Sequence, residues 1–413
     1  MAVTATNLNS LAKEIYGDEV INLIPESMLM CKDYKFREAK STGDNFIQPC
    51  KMTHEHGFTY SSEEADAFAL NAAVPAIFKD AQVDGSSIVL RSALSYVQLA
   101  KLDNSKKGFM SAPSALLEDM NQSMWKRLEI AAFYGRSSTG IGVVSSVGSI
   151  TSNAQDVIIT QATFAPGFWT GSEGAYIDFY SDFSAGTKRN SNDISINSAT
   201  ITDRTINIQL NASETGTIAT GDVIVWKGAY NTEPIGLDKI VNNTGTLYNI
   251  DAGTYSLWQS SINSSVGAMT LADILETIDL AVNKGLEGDC NVYIPTIAYT
   301  PLSNEQSALR RHGDKIKEAN NGFTGLQFFH QTGVVNVKPS IYVKQGEFFV
   351  CPVVGGHRIG ASDVTFKTPG MPDEELFHQL ESSAGVGLRC FSHQAVFFEK
   401  PAHLAKGTGV TYS

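Results

Sequence analysis

Between Pro113 and Gly135, the residues Leu117, Met120, Met124, Leu128 and Ala131 fall at steps of three or four, and that spacing lines one face of a helix. Ser111 and Pro113 punctuate its start. Gly135, followed by Arg136, Ser137 and Ser138, punctuates its end, where glycine takes a left-handed conformation at little cost. At about 1.5 Å per residue such a helix is roughly 30 Å long, the width of a small domain. The chain before it is thin, extended and poorly periodic; the chain after it is rich in β-type runs. Any fold for this sequence must hang both halves on that one rod.

The chain of 413 residues is 42% hydrophobic and 18% charged, enough to bury real cores in two or three domains. No run approaches the roughly 20 apolar residues of a membrane helix. Met1 to Ser10 lacks the charged start and apolar centre of a signal peptide, which predicts a protein made and used in a cytoplasm. Cys31, Cys50, Cys290, Cys351 and Cys390 are odd in number and far apart, so they read as isolated thiols rather than a disulfide framework or metal knuckle. A net charge of -12 argues against wrapping nucleic acid with the whole surface.

In chain order, Asn9 to Cys31 holds two short amphipathic pieces that could not stand alone and predict an arm lying on another surface. Ser41 to Ser92 reads as extended runs, with Asp84-Gly85 as a turn between alternating residues, and carries too few clustered apolar side chains to close a core. Tyr96 to Leu102 reads as a short helix. Short β-segments with turn chemistry between them predict a small barrel or sheet insertion over about Thr163 to Lys227. Thr270 and Asp273 form a capping box for a helix over Leu271 to Lys284, and Pro301 to Lys317 is a second predicted helix. Asn291 to Ile294 and Phe348 to Val354 read as buried strands, Ser383 to Cys390 and Gln394 to Phe398 as the last two, and Lys400 to Ser413 as a loose tail.

The run from Gly221 to Gly228 (GDVIVWKG), with Pro234-Ile-Gly-Leu237, Asp251 and Leu257-Trp258, resembles a segment common among major capsid proteins of tailed bacteriophages. So do Asn291-Val-Tyr-Ile-Pro295 and the closing strand ending in Phe398-Glu-Lys-Pro401. The order of parts over nearly the whole chain is similar to the Hong Kong 97-type capsid fold. That resemblance implies an α+β chain: N-terminal arm 1–40, extended β-hairpin loop 41–92, peripheral domain with spine helix 93–162, β-rich insertion 163–227, axial α/β domain 228–370, and return strands to the peripheral domain with a C-terminal tail 371–413.

It further implies a structural protein, not an enzyme, that self-assembles into hexamers and pentamers of an icosahedral head shell around double-stranded DNA. The implied location is the virion capsid, assembled in the host cytoplasm. Other copies of itself are the main partner, with separate scaffolding, portal and decoration proteins. No cofactor or metal is implied, and no Lys and Asn pair of the kind that cross-links some relatives can be matched. DNA contact is expected only on the inner wall, through Lys32, Lys35, Arg37 and Lys40.

The charge pattern offers a way to set register between copies. Arg310, Arg311, Lys315 and Lys317 give a basic helix face; Glu63, Glu64 and Asp66, with Asp373 to Glu375, are acidic. The plain alternative is that all are solvated. Other motifs are thin: His54-Glu55-His56 offers two metal donors without a third, Gly355-Gly-His-Arg358 suits a turn better than an anion nest, and Gly140-Ile-Gly142 lacks a dinucleotide fingerprint. A β-rich tail or surface-layer protein and an unrecognised enzyme are the rival classes; the first would not need a rod between an extended arm and an axial domain.

Overall fold

The computed structural model describes residues 28–38, 46–62, 67–95, 112–211, 218–310, 326–331, 333–367, 378–379 and 385–412. The predicted helix over Tyr96 to Leu102 lies outside them. The rod is there as a helix over Ala112–Tyr134. Met120, Met124, Leu128 and Ala131 are buried, and from Leu128 to Gly135 every residue is buried whichever way it faces. That end is where three bodies meet.

The first body is a sheet centred on Gly385–Phe398, which pairs antiparallel with Gly356–Thr365 and, over ten register positions, with Ser86–Ser95. Phe36–Glu38 adds a short parallel edge. The expected Asp84-Gly85 hairpin is therefore not formed. Phe78–Val83 pairs instead with Phe46–Lys51, and the chain turns at Gly85 from one sheet into the other. The long strand simply offers Ser86–Ser95 more ladder than a six-residue neighbour does. Glycine is needed at the corner because a Cβ there would sit 2.3 Å from the His393 ring.

The second body is a closed barrel of Gly142–Val147, Ala154–Ile159, Thr205–Gln209, Ile194–Thr200, Tyr176–Tyr180 and Val223–Trp226, filled by Val144, Val157, Ile159, Ile177, Phe179, Ile194, Ile196, Ile206, Ile208 and Ile224. Two of its strands precede Thr163. In the sequence, Val143-Val144 and the run from Val157 read as strands, and closure against Val223–Trp226 places both in the barrel.

The third body is a six-stranded mixed sheet: Ser261–Asn263, Ala405–Thr408, Glu347–Pro352, Cys290–Pro295, Gly333–Ser340 and Leu326–His330. Val292, Ile294, Phe348 and Val350 face the helices Leu271–Val282 and Thr296–Arg310. The capping box forms as expected: Thr270 Oγ1 accepts from Asp273 N at 3.3 Å and the Asp273 carboxylate accepts from Thr270 N at 2.8 Å. The second helix starts earlier than predicted, leaving Pro301 inside it. On the other face, Tyr293 and Phe349 meet Phe133 of the rod at ring separations of 5.4 and 6.2 Å.

Two further expectations are overturned. The C-terminal stretch is no loose tail: Ala405–Thr408 is a buried strand inside the third sheet, paired with Glu347–Val350 and Ser261–Asn263. Its sequence, Ala-Lys-Gly-Thr, shows no apolar alternation because Gly407 is there for clearance, a Cβ falling 2.1 Å from Phe348, and Lys406 is paired. At the rod's end, Arg136 and not Gly135 takes the left-handed conformation (φ 55°). Gly135 is required because its backbone packs on Pro234, whose carbonyl would lie 2.0 Å from a Cβ.

Charged groups are buried where the bodies join. Lys406 contacts Asp238 and Glu347, while Lys344 Nζ donates to Thr139 Oγ1 at 2.6 Å and Gly140 O at 2.8 Å. Burial brings the Lys344 amine down to about 8, against the pull of Glu347 and Asp238. The folded chain therefore binds that proton less tightly than the unfolded chain does. Between pH 8 and the ordinary 10.5, stability from this group rises with pH. Wild type is expected to gain melting temperature on a Lys344→Met variant across that window; a constant difference would count against the assignment.

Candidate self-association surface

The root of the extended limb is fixed to its own chain. Ala81 and Val83 are buried, Phe46 packs edge-on to Phe397 at 6.2 Å, and Gln82 N donates to Tyr248 O at 3.0 Å. Beyond the paired strands the two legs stay side by side. Met52 N donates to Ile77 O at 2.8 Å, His56 N to Val74 O at 3.1 Å, and Asn71 Nδ2 to Phe58 O at 2.8 Å. Along these legs large apolar side chains face outward: Tyr60 is 90% exposed, Leu70 79%, Phe58 and Phe78 65%, with Phe68, Ile47 and Val74 behind them. Scattered exposed apolar residues are ordinary, but seven large ones on one thin limb are not.

A cleft of about 600 Å³ opens between the rod, strand Ser86–Ser95 and the barrel, lined by Ile88, Val89, Leu90, Met124, Arg127 and Trp226 among others. The Arg127 guanidinium stacks on the Trp226 ring at 3.7 Å. Its Nη1 and the Trp226 Nε1 are buried without a hydrogen-bond partner. Burial lowers the Arg127 pKa to about 10. A site that combines apolar walls with polar groups such as Lys227 and Glu233 and with unsatisfied donors is suited to a segment that brings both apolar side chains and acceptors.

The N-terminal segment is held by one buried carboxylate. Glu129, on the rod, accepts from the backbone N–H groups of Leu29, Met30 and Cys31 at 2.9, 2.7 and 2.9 Å. Burial raises its pKa, and the three donors oppose that. From there Asp33 accepts from Tyr293 OH and from Lys338 Nζ at 2.7 Å, and Tyr34 OH donates to Pro352 O at 2.8 Å. One short segment thus ties the rod to the third sheet. No periodicity announces it, since every partner is distant in sequence.

Of the charges proposed to set register, Glu63, Glu64, Asp66, Arg311, Lys315, Lys317 and Asp373 to Glu375 lie outside the described residues, and Arg310 ends its helix with its side chain outside them. Of the arm patch, Lys32, Lys35 and Arg37 are exposed and Lys40 is outside. His54-Glu55-His56 is exposed, and among the described residues no group of three metal-ligating side chains occurs. Arg358, weighed as part of an anion nest, is committed to Tyr34 O, Asp363 and Gln394. All five cysteines are free. Among the described residues, no helix is long and apolar enough to cross a membrane.

No protein-family model matches the sequence, and no curated protein does. Solved structures do. The Cyanophage A-1(L) capsid asymmetric unit aligns at a TM-score of 0.58 with 10% identity, over 99% of this chain and 100% of that one. The capsid of a native GTA particle aligns at 0.51 with 9% identity, over 100% and 99%. At such low identity the likeness speaks for the fold, and it runs the full length of the partners compared: this chain shares the mixed, strand-rich fold of those two capsid chains.

Proposed function

We propose that this chain is the major capsid protein of a tailed bacteriophage, building hexamers and pentamers of an icosahedral shell that encloses double-stranded DNA. The observation that carries this reading is the limb with a buried root and uncovered apolar legs. A side chain such as Tyr60 gains nothing from folding in one copy, so its burial must come from another copy. On this reading the exposed legs beyond the strands Phe46–Lys51 and Phe78–Val83 drape over the neighbouring subunit, while Ser86–Ser95 stays paired in its own sheet; the helix Ala112–Tyr134 is the spine, and 228–370 approach the capsomer centre. The cleft beside Arg127 and Trp226 is the surface such a limb would find, an arrangement in which one patch meets a different patch and five or six copies close a ring. Shell interfaces of this obligate kind bury more than about 2,000 Å².

The location that follows is the virion capsid, after assembly in the host cytoplasm, with scaffolding, portal and decoration proteins as further partners. The exposed Lys32, Lys35 and Arg37 would face the genome without sequence preference. No catalytic role is assigned. Size-exclusion chromatography and negative-stain microscopy of the expressed chain test the reading: shells or hexamers are expected, and monomers at high concentration, or fibres, would overturn it. Reversing Arg310 and Arg311 to Glu should block assembly while the monomer stays folded. Normal particles from that variant would remove those two residues from the interface.

A further inference from the structure

We propose that Lys406 and Asp238 condense into an isopeptide bond within the chain, with Glu347 relaying the protons. The three side chains meet where the C-terminal strand passes the end of the rod, and Lys406 Nζ contacts both Asp238 Oδ1 and Glu347 Oε2. All are withdrawn from water, at 4, 2 and 9% exposure, and the Phe349 ring lies 5.3 Å from the amine. In bulk water an amine and a carboxylate do not condense, because hydration keeps both as ions and hydrolysis is favoured by mass action. A fixed pair in a dry site loses both obstacles and gains the effective concentration of an intramolecular reaction.

The surroundings supply what the chemistry needs. Ser137 Oγ donates to Asp238 Oδ2 at 2.5 Å and Asn242 Nδ2 donates to Oδ1 at 2.6 Å, so the carboxyl carbon is polarised and a developing oxyanion already has donors. Glu347 Oε1 is buried with no hydrogen-bond partner, which leaves that carboxylate free to take up a proton. The other buried amine, Lys344, is committed to Thr139 and Gly140. Lys406 is thus the amine in contact with both acids.

At rest Lys406 is an ammonium: burial favours the neutral amine, but Glu347 and Asp238 hold its pKa above the ordinary range. The reaction therefore begins with proton transfer from Lys406 to Glu347 and from Glu347 to Asp238 Oδ1, so that a neutral amine meets a neutral carboxylic acid. The freed nitrogen attacks Asp238 Cγ and the C–N bond forms, with Oδ2 held by Ser137. The second proton leaves nitrogen as the C–Oδ1 bond breaks and joins the first on Oδ1, which departs as water. Ammonium plus carboxylate gives amide plus water; Glu347 ends as it began, and neither an oxidant nor a cofactor is consumed. The bond would join positions 168 residues apart and fasten the strand Ala405–Thr408 to the helix Leu237–Val241.

Intact-mass spectrometry of the purified full-length chain, denatured after folding, tests this. The expected mass is one water below that of the sequence, with a tryptic map in which Lys406 escapes cleavage and its peptide is joined to the one holding Asp238. Lys406→Arg and Glu347→Gln should both keep the full mass, their folding checked by circular dichroism. A full mass for folded wild type means an ion pair only and overturns the proposal. Water loss at any other position overturns it too, and a joined Glu347→Gln chain would overturn the relay. Because the wild-type mass decides the bond, a misfolding variant cannot shelter it.

Discussion

A chain carrying Phe58→Asp, Phe68→Asp and Leu70→Asp is expected to fold and to form no shells. These side chains are 65, 53 and 79% exposed, so their own copy loses almost nothing when they change. What they would gain on docking is another matter. Burying a large apolar side chain is worth about 1.5–3 kcal/mol, so the three together contribute roughly 5 kcal/mol or more to each contact, a weakening of more than about a thousandfold. Introducing carboxylates into a closing apolar interface adds a desolvation cost on top. The measurement pairs a melting curve with sedimentation: an unchanged midpoint and a monomer peak are expected. Shells of ordinary size from the triple variant would mean that the limb is not what joins the copies.

Glu129→Ala should cost roughly 3 kcal/mol or more, from three buried N–H groups left without an acceptor at about 1 kcal/mol each at the low end. The loss is local before it is global. Without its cap the short helix Met30–Asp33 has no reason to stay against the rod, and Asp33 and Tyr34 would leave the third sheet. Amide exchange at Met30, Cys31 and Tyr34 should accelerate well ahead of exchange in the rod itself. Glu129→Gln, which keeps one acceptor oxygen, should fall between. If the alanine variant protects those amides as wild type does, Glu129 is not the anchor.

The contrast between these two predictions follows what each feature shows in the sequence. The limb is legible because exposure without a core is a property of composition: Ser41 to Ser92 alternates but has too few clustered apolar residues to fold over itself. The anchor is not legible, because a glutamate on a helix reads as a solvated charge until a segment a hundred residues away is laid on it. The same holds for Lys406 and Asp238, 168 residues apart. Arg127 on Trp226 was equally hidden, since nothing in either stretch of sequence names the other.

Alone, the sequence determined the rod, from its 3.6-residue period and its punctuated ends, the capped helix Leu271–Val282, from Thr270 and Asp273, and the buried strands around Val292 and Val350, from their unbroken apolar runs. Those are local signals, set by backbone periodicity and nearby hydrogen bonds. Tertiary structure alone decided that Ser86–Ser95 leaves its apparent hairpin for a longer partner, that Gly142–Val147 closes a barrel, and that Ala-Lys-Gly-Thr at the end of the chain is core. In each case the deciding energy comes from ladder hydrogen bonds, clearance or charge pairing with residues far along the chain, and no stretch of sequence contains its own partner.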